Sequence, residues 1–197
     1  MGRNIGRILG LRALYLAWAV TAVVATVMAP SSASAAERAI DREVVVPAKV
    51  DAVWQAWTTS EGIKTFFAPD AHVELRVDGP FEIFINPYAK PGMKGADGMR
   101  IIGFQQEKML SFTWNAPPSL PEARANRTVV VLHFEPAGDN QTIVTLHHVG
   151  WGEGGEWDKA YEYFSKAWPG VLGNLQKRFA SGPIDWTDWL AKMKTMQ

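Results

Sequence analysis

His148 is the residue of this sequence whose type and position are best suited to chemistry. The surrounding segment, TIVTLHHV, is predicted to be the second strand of a hairpin that turns at 137–140. Side chains alternate between the two faces of a strand, so Val144, Leu146 and His148 share one face. If that face is directed inward, the imidazole could bind a ligand carboxylate or hydroxyl, or exchange a proton near neutral pH. The alternative is a core histidine that hydrogen-bonds a backbone carbonyl, Tyr161 or Tyr163.

The other histidines do not predict a metal site. His147 and His148 are neighbours on one strand and therefore point to opposite faces, so they cannot hold one ion together. His133 and His147 can share the outer face of the last predicted hairpin. The chain contains no cysteine, and no carboxylate cluster accompanies the pair, unlike the usual zinc or copper site. We therefore predict no metal and no cofactor.

Conventional catalytic motifs do not occur in this sequence. It contains no nucleophile elbow, phosphate loop or dinucleotide fingerprint. Glu153, Glu156 and Asp158 lie close together in a glycine-rich segment, where they could border the mouth of a cavity. Acidic residues at the start of a helix are also explained by the partial positive charge there. We therefore assign no catalytic residue.

The first 35 residues have the pattern of a secretory signal peptide. Three arginines precede an apolar run over 13–29, and Ala33 and Ala35 form a small-x-small site for cleavage before Ala36. A retained membrane anchor is the alternative. It is disfavoured because the run contains two threonines, ends at a proline and is slightly short for a bilayer span of ~20 residues. We expect a periplasmic or secreted protein with no stable membrane span after cleavage.

Charge and composition limit the classes of protein to which this chain can belong. Removal of 35 residues from 197 leaves 162, the size of one domain, and the loss of three arginines changes the formal net charge from 0 to −3. A nucleic-acid-binding protein would usually show a basic excess, and this chain shows none. Without cysteines, an exported protein must be stabilised by packing, to which nine tryptophans and nine phenylalanines contribute.

The elements that must position His148 are predicted from apolar spacing. Residues 40–46 are predicted to form a first strand, and Val50, Val53, Trp54 and Trp57 follow at helical spacing. A second short helix is predicted to open at Ser60–Glu61 and to stop before Pro69.

From residue 71 the period changes to two, which predicts about six strands. The first of them is expected to continue through Val77 to a turn at Asp78–Gly79. Two loops rich in glycine or proline, 86–98 and 117–126, are long enough to act as lids over a cavity. A final long helix is predicted from 159 to about 180, ending at Gly182.

Several motifs, in order, resemble one known family. They are PAKVDAVWQAWTTSEGIKTFFAP, the Asp78–Phe81 turn, KMLSFTWN, the hairpin of TVVVLHFEP and TIVTLHHVGW, and the helical WPGVLGNLQKRF. Together they resemble the Hsp90-ATPase-activator-homologue-like (AHSA1-type) branch of the START/Bet v 1 (SRPBCC) helix-grip superfamily, over roughly 44–181. The resemblance implies an α+β fold in which a curved antiparallel sheet wraps around a long C-terminal helix, with two short helices after the first strand. It also implies a cavity.

The chain departs from that family in ways that affect its function. Phe66–Phe67 stands where the family commonly has a tryptophan pair, and the family has no export signal. Export would make cytosolic Hsp90 an unlikely partner. We divide the chain into a signal peptide (1–35), the family domain (36–182) and a short amphipathic tail (183–197) that we expect to dock on the domain.

The predicted function is that of an exported, cofactor-free protein that binds a hydrophobic or amphipathic small molecule, with no assigned reaction. One alternative is a lyase, cyclase or hydrolase that uses His148 as acid or base. Another is a protein–protein interaction module. The candidate ligand-binding residues are His148, Trp57, Phe67, Phe81, Phe112, Trp114, Leu146, Tyr161 and Trp168.

Overall fold

The computed structural model describes residues 37–195. The predicted signal peptide and its cleavage site at Ala33, Ala35 and Ala36 lie outside the described residues. The elements are β1 (Ile40–Val46), α1 (Val50–Thr58), α2 (Ser60–Lys64), β2 (Asp70–Val73), β3 (Phe81–Phe84), β4 (Ile101–Gln105), β5 (Met109–Trp114), α3 (Pro121–Arg124), β6 (Thr128–Pro136), β7 (Thr142–Val149), α4 (Gly155–Ser181) and α5 (Thr187–Thr195).

Five strands form an antiparallel sheet in the order β1-β7-β6-β5-β4, and β2 pairs with β3 in a separate two-stranded sheet. An isolated bridge between Pro80 and Arg100 joins the β3 segment to the start of β4. This order of elements confirms the predicted α+β helix-grip architecture. The prediction that the strand at Val73 continues to Val77 is wrong. The chain turns instead, with Arg76 N–H donating to Glu74 O and Asp78 in the left-handed region at φ 58°.

Helix α4 covers the inner face of the sheet because its apolar residues recur every three or four positions. Its buried side chains are Ala160, Phe164, Trp168, Leu172 and Leu175. The inward residues of β6 and β7 alternate with outward ones, as in a sheet with one buried face. The two sets belong to one continuous core with the aromatic residues of α1 and the segment after α2.

A proline inside α4 gives the helix a specific partner on β1. Pro169 has no N–H, so the carbonyl of Ser165 one turn earlier loses its usual helical donor. Arg42 of β1 supplies a replacement, since its Nη2 donates to Ser165 O at 3.0 Å. The helix therefore keeps a satisfied backbone at this position by bonding to the edge strand.

The C-terminal tail packs on the domain. Trp186 Nε1 donates to Lys64 O at 2.6 Å, and Trp189 Nε1 donates to Ile85 O at 2.7 Å. Met193 of α5 is buried. In the part of the chain that the structure describes, no helix is long and apolar enough to cross a membrane.

Candidate functional site

A cleft of about 320 Å³ lies between α4 and two loops. Its walls are residues 85–86 and 93–96, residues 114–118, and the face of α4 formed by 163, 164, 167, 168 and 171. The volume is at the lower end of the range of small-molecule pockets, which is about 300–1,000 Å³. Met93 and Tyr163, each 50% exposed, bring the cleft to the surface.

Three aromatic rings form the apolar part of the cleft. The ring centres of Trp114 and Trp168 are 5.5 Å apart, and Phe164 stacks on Trp168 at 6.1 Å. All three side chains are more than nine-tenths buried. The indole Nε1 of Trp114 has no hydrogen-bond acceptor among the described residues. These rings give the cleft the apolar, preformed surface that is typical of ligand pockets.

The polar lining of the cleft comes from the two loops. Asn86 and Asn115 contribute amides, and Lys94 is the one charged side chain among the residues that line it. Asn86 Oδ1 accepts from Tyr88 N–H at 3.1 Å, which leaves its amide N–H groups available. Asn115 Nδ2 donates to Asp97 O at 3.4 Å. No carboxylate lines this cleft.

The loops are fastened to each other by Arg124 at the end of α3. Its guanidinium donates to Ala116 O at 2.5 Å, Gly92 O at 2.7 Å and Gly95 O at 2.8 Å, and it pairs with Asp97 at 3.3 Å. Both charged side chains are about nine-tenths buried, and desolvation lowers the pKa of Arg124 despite the opposing charge of Asp97. A planar fork of five N–H donors suits such a set of acceptors.

The loop that carries Lys94 also pairs with β3. Asn86 N–H donates to Lys94 O, and Ala96 N–H donates to Ile83 O, each at 2.8 Å. Gly95 sits so close to β3 that a Cβ there would lie 2.3 Å from Ile83 O. The expected lids are thus walls of the cleft that are bonded to the sheet and to Arg124.

His148 faces inward, as the alternation of β7 predicted, but it is a fully buried part of the core. Trp168 Nε1 donates to His148 Nδ1 at 2.9 Å, so the proton of the neutral ring is on Nε2, which donates to Thr128 Oγ1 at 2.7 Å. Trp151 closes over the ring at 4.2 Å and donates its own N–H to the His148 carbonyl.

The chemistry of His148 follows from this enclosure. Burial lowers its pKa from 6.5 to about 3, because the charged imidazolium would lose its hydration. Both ring nitrogens already have partners, and the ring does not line the cleft. Phe164 and Trp168, which do line it, pack against the imidazole at 5.3 and 5.8 Å. The geometry is that of a structural histidine, with partners that differ from the backbone carbonyl or tyrosine expected.

The structure divides the predicted ligand-binding residues into two groups. Trp114 and Trp168 line the cleft. The remainder lie in the core or at its edge: His148, Trp57, Phe67, Phe81, Phe112 and Leu146 are buried, and Tyr161 donates its hydroxyl to Ala39 O at 2.8 Å. Phe81 stacks on Phe112 at 4.1 Å.

Sequence reasoning missed the loop residues of the cleft, above all Asn86, Lys94 and Asn115. They have no periodicity, because they lie in or beside irregular segments. The available signal was the glycine- and proline-rich composition of 86–98, which indicates a loop of functional length.

The outer histidine pair is present on the opposite face of the sheet. The ring centres of His133 and His147 are 5.8 Å apart, and His147 Nδ1 lies 2.6 Å from Asp41 Oδ1. Within residues 37–195, no group of three or more His, Cys, Asp or Glu side chains is arranged to hold a metal ion.

The model of a protein family described as "Activator of Hsp90 ATPase homolog 1-like protein" matches residues 47–180. The chain belongs to this family. The family resemblance predicted from the motifs is therefore confirmed. No curated protein matches the sequence closely enough to indicate a relationship.

Several solved structures have a similar fold. Protein MLL2253 from Mesorhizobium loti is 20% identical with a TM-score of 0.60, over 75% of this chain and 100% of that one. The Aha1 dimer from Colwellia psychrerythraea is 19% identical with a TM-score of 0.57, over 74% and 98%. CalU16 from Micromonospora echinospora is 20% identical with a TM-score of 0.55, over 81% and 83%. At these identities the likeness concerns the fold alone.

Proposed function

We propose that this Activator of Hsp90 ATPase homolog 1-like family member binds a small apolar or amphipathic molecule in the cleft between α4 and the two loops. The observation that carries the proposal is the cleft itself, which combines three packed aromatic rings with a few polar groups. Arg124 and the pairing of the loop with β3 hold the walls in place. A preformed site of this kind loses little entropy when it binds a ligand.

We further propose that residues 1–35 direct export and that the mature protein works in the periplasm or outside the cell. The support is the arginine-led apolar run and the Ala33–Ala35 cleavage pattern. Intact mass of the protein recovered from the periplasm or medium should correspond to a chain that starts at Ala36. Recovery of the uncleaved chain in the membrane fraction would contradict export and favour an anchor.

The enzyme alternative gains no support from His148. An acid or base must reach the proton that it transfers, whereas this imidazole is buried and both of its ring nitrogens are hydrogen-bonded within the protein. The family fold and the cleft support ligand binding, and within residues 37–195 we assign no comparable feature to a protein interaction module.

Thermal unfolding of the mature protein with a library of apolar and amphipathic compounds tests the binding proposal. A ligand at about 100 times its Kd stabilises the folded state by about 2.7 kcal/mol, which raises the Tm of a domain this size by roughly 5–10 °C. Mass spectrometry of compounds that copurify with the protein identifies natural candidates.

A matched pair of variants locates the binding site. Ala167 lies in the wall of the cleft and Ala180 is exposed farther along the same helix. Ala167→Trp should abolish ligand stabilisation, and Ala180→Trp should preserve it. Equal stabilisation of both variants would place the ligand elsewhere, and no stabilisation of the unmodified protein by any compound would refute the proposal.

A further inference from the structure

We infer that the cleft selects an amphipathic anion, with its apolar part against the aromatic rings and its acidic head group at Lys94. The inference rests on the proposed function and adds the sign of charge that the ligand must carry. It follows from where charge is placed around the cleft.

The lining of the cleft carries a single positive charge. Lys94 is the one charged residue among those that line the cleft, and it forms no ion pair within residues 37–195. Its ammonium lies 5.1 Å from the centre of the Phe84 ring. That ring borders a separate depression, which Lys94 also lines. The ammonium, on its flexible four-carbon stem, therefore turns from the ring into the cleft when it meets a bound anion.

The carboxylate of Asp97, in the same loop as Lys94, already has partners of its own. Asp97 does not line the cleft, although it borders the neighbouring depression together with Lys94, and its charge is already compensated. Its Oδ1 accepts from Gly92 N–H at 2.9 Å, and its Oδ2 accepts from Gly95 N–H at 2.9 Å and pairs with Arg124. Asp97 is therefore not free to neutralise Lys94. Glu82 borders the same depression as Lys94, without forming an ion pair with it. The carboxylate of Glu82 has other partners, since its Oε1 accepts from Gly98 N–H and its Oε2 lies 3.3 Å from His72 Nδ1.

The cleft also presents apolar surface from α4. Asn86 N–H donates to Lys94 O, and Asn86, whose side-chain Oδ1 accepts from Tyr88 N–H, also lines the cleft. Across from them, α4 presents Phe164, Ala167 and Val171. A carboxylate, sulfate or phosphate head would thus meet an ammonium and an amide donor, while its apolar body covers the helix face.

Three ligands with the same alkyl chain and different heads test the charge preference: octanoate, 1-octanol and octylammonium. Their affinities for the mature protein are measured by competition with a fluorescent apolar probe. Octanoate should bind about tenfold more tightly than 1-octanol, which corresponds to about 1.4 kcal/mol, and octylammonium should bind more weakly than the alcohol. Added salt should reduce the advantage of octanoate, since partly exposed charge pairs are screened.

Variants of two lysines in the same loop assign the effect to one side chain. Lys94→Met should remove the preference for octanoate, Lys94→Arg should keep it, and Lys94→Glu should reverse it in favour of octylammonium. Lys90→Met is the control, because Lys90 is exposed and does not line the cleft.

The outcomes separate this inference from the proposal beneath it. Equal binding of the three ligands, or an octanoate preference that survives Lys94→Met, would overturn the selection of an anion by Lys94 and leave ligand binding intact. Failure of all three ligands to displace the probe, together with failure of the wider library, would overturn both.

Discussion

Acid should destabilise this protein through His148 well before most of its carboxyl groups are protonated. The folded-state pKa of about 3 lies below the value of 6.5 for an unperturbed histidine, so the unfolded chain binds a proton that the folded chain does not. Stability is then fully present above pH 6.5 and is lost as the pH falls towards 3.

The size of the effect follows from the shift in pKa. Each unit by which the pH falls between 6.5 and about 3 should lower the free energy of unfolding by about 1.4 kcal/mol, and the whole interval should lower it by about 4–5 kcal/mol. A typical domain has a free energy of unfolding of roughly 5–15 kcal/mol. We therefore expect this single imidazole to account for a large share of the acid sensitivity.

Urea denaturation of the mature protein at a series of pH values, alongside His148→Gln, measures this share. Glutamine does not titrate, yet its amide can accept from Trp168 and donate to Thr128, the two bonds that the imidazole makes. The difference in slope between the two proteins should be about 1.4 kcal/mol per pH unit from pH 6 to 4. Exposed carboxyls such as Glu74, whose pKa is lowered by a hydrogen bond from Arg76, affect both proteins equally.

His133→Gln is the control, since that side chain is exposed on the outer face of the same sheet and forms no ion pair among the described residues. It should leave the slope unchanged. If His148→Gln and the unmodified protein lose stability in parallel between pH 6 and 4, the imidazole is protonated without penalty and the reasoning from burial is refuted. A long-range ¹H–¹⁵N spectrum provides a second check, because it should show the proton on Nε2.

Three other substitutions test the supports of the cleft and the fold. Arg124→Ala should lower the free energy of unfolding by about 3–5 kcal/mol, because it leaves Asp97 buried without its partner. Backbone hydrogen exchange in 86–98 should also become faster. Unchanged exchange would show that Arg124 does not hold the loops. Trp186→Phe removes the bond to Lys64 O and should cost about 1 kcal/mol, seen as faster proteolysis of the tail, whereas equal cleavage rates would contradict docking through this bond. Thr59→Ala removes the side-chain acceptor for Gly62 N–H at the start of α2 and should also cost about 1 kcal/mol in urea denaturation; Thr59→Ser should retain it, and equal losses in both would mean that the cap contributes nothing.

Much of the fold could be predicted because local pattern and tertiary burial agree. The alternation of side chains along β7 predicted the inward direction of His148, and the helical spacing of Val53, Trp54 and Trp57 predicted the buried face of α1. The prediction that Ser60–Glu61 opens α2 found the first turn, but the cap is the side chain of Thr59, while Ser60 Oγ accepts from Val73 N–H. Adjacent hydroxyl residues offer the same capping chemistry, and only the backbone conformation distinguishes them.

The candidate site was less accessible from the sequence than the core. Trp114 and Trp168 were among the predicted ligand-binding residues, and both line the cleft. Lys94 and Arg124 depend instead on where two irregular loops meet, and that meeting is decided by long-range bonds to Ala116 and Gly95. Spacing along the chain contains no information on such contacts. The predicted partner of His148 failed for the same reason, since Trp168 and Thr128 come from two different elements, each 20 positions away.

Trp168 belongs to two environments at once: its ring forms the floor of the cleft, and its N–H is bonded to the enclosed imidazole. A molecule that displaces this indole even slightly must alter the hydrogen bond behind it. The ¹H–¹⁵N resonance of the Trp168 side chain and the nitrogen shifts of His148 therefore form a built-in sensor of occupancy. His148 was considered as a reactive group, yet its ring does not line the cleft. Its nitrogen chemical shifts instead report, through Trp168, whether the cleft is occupied.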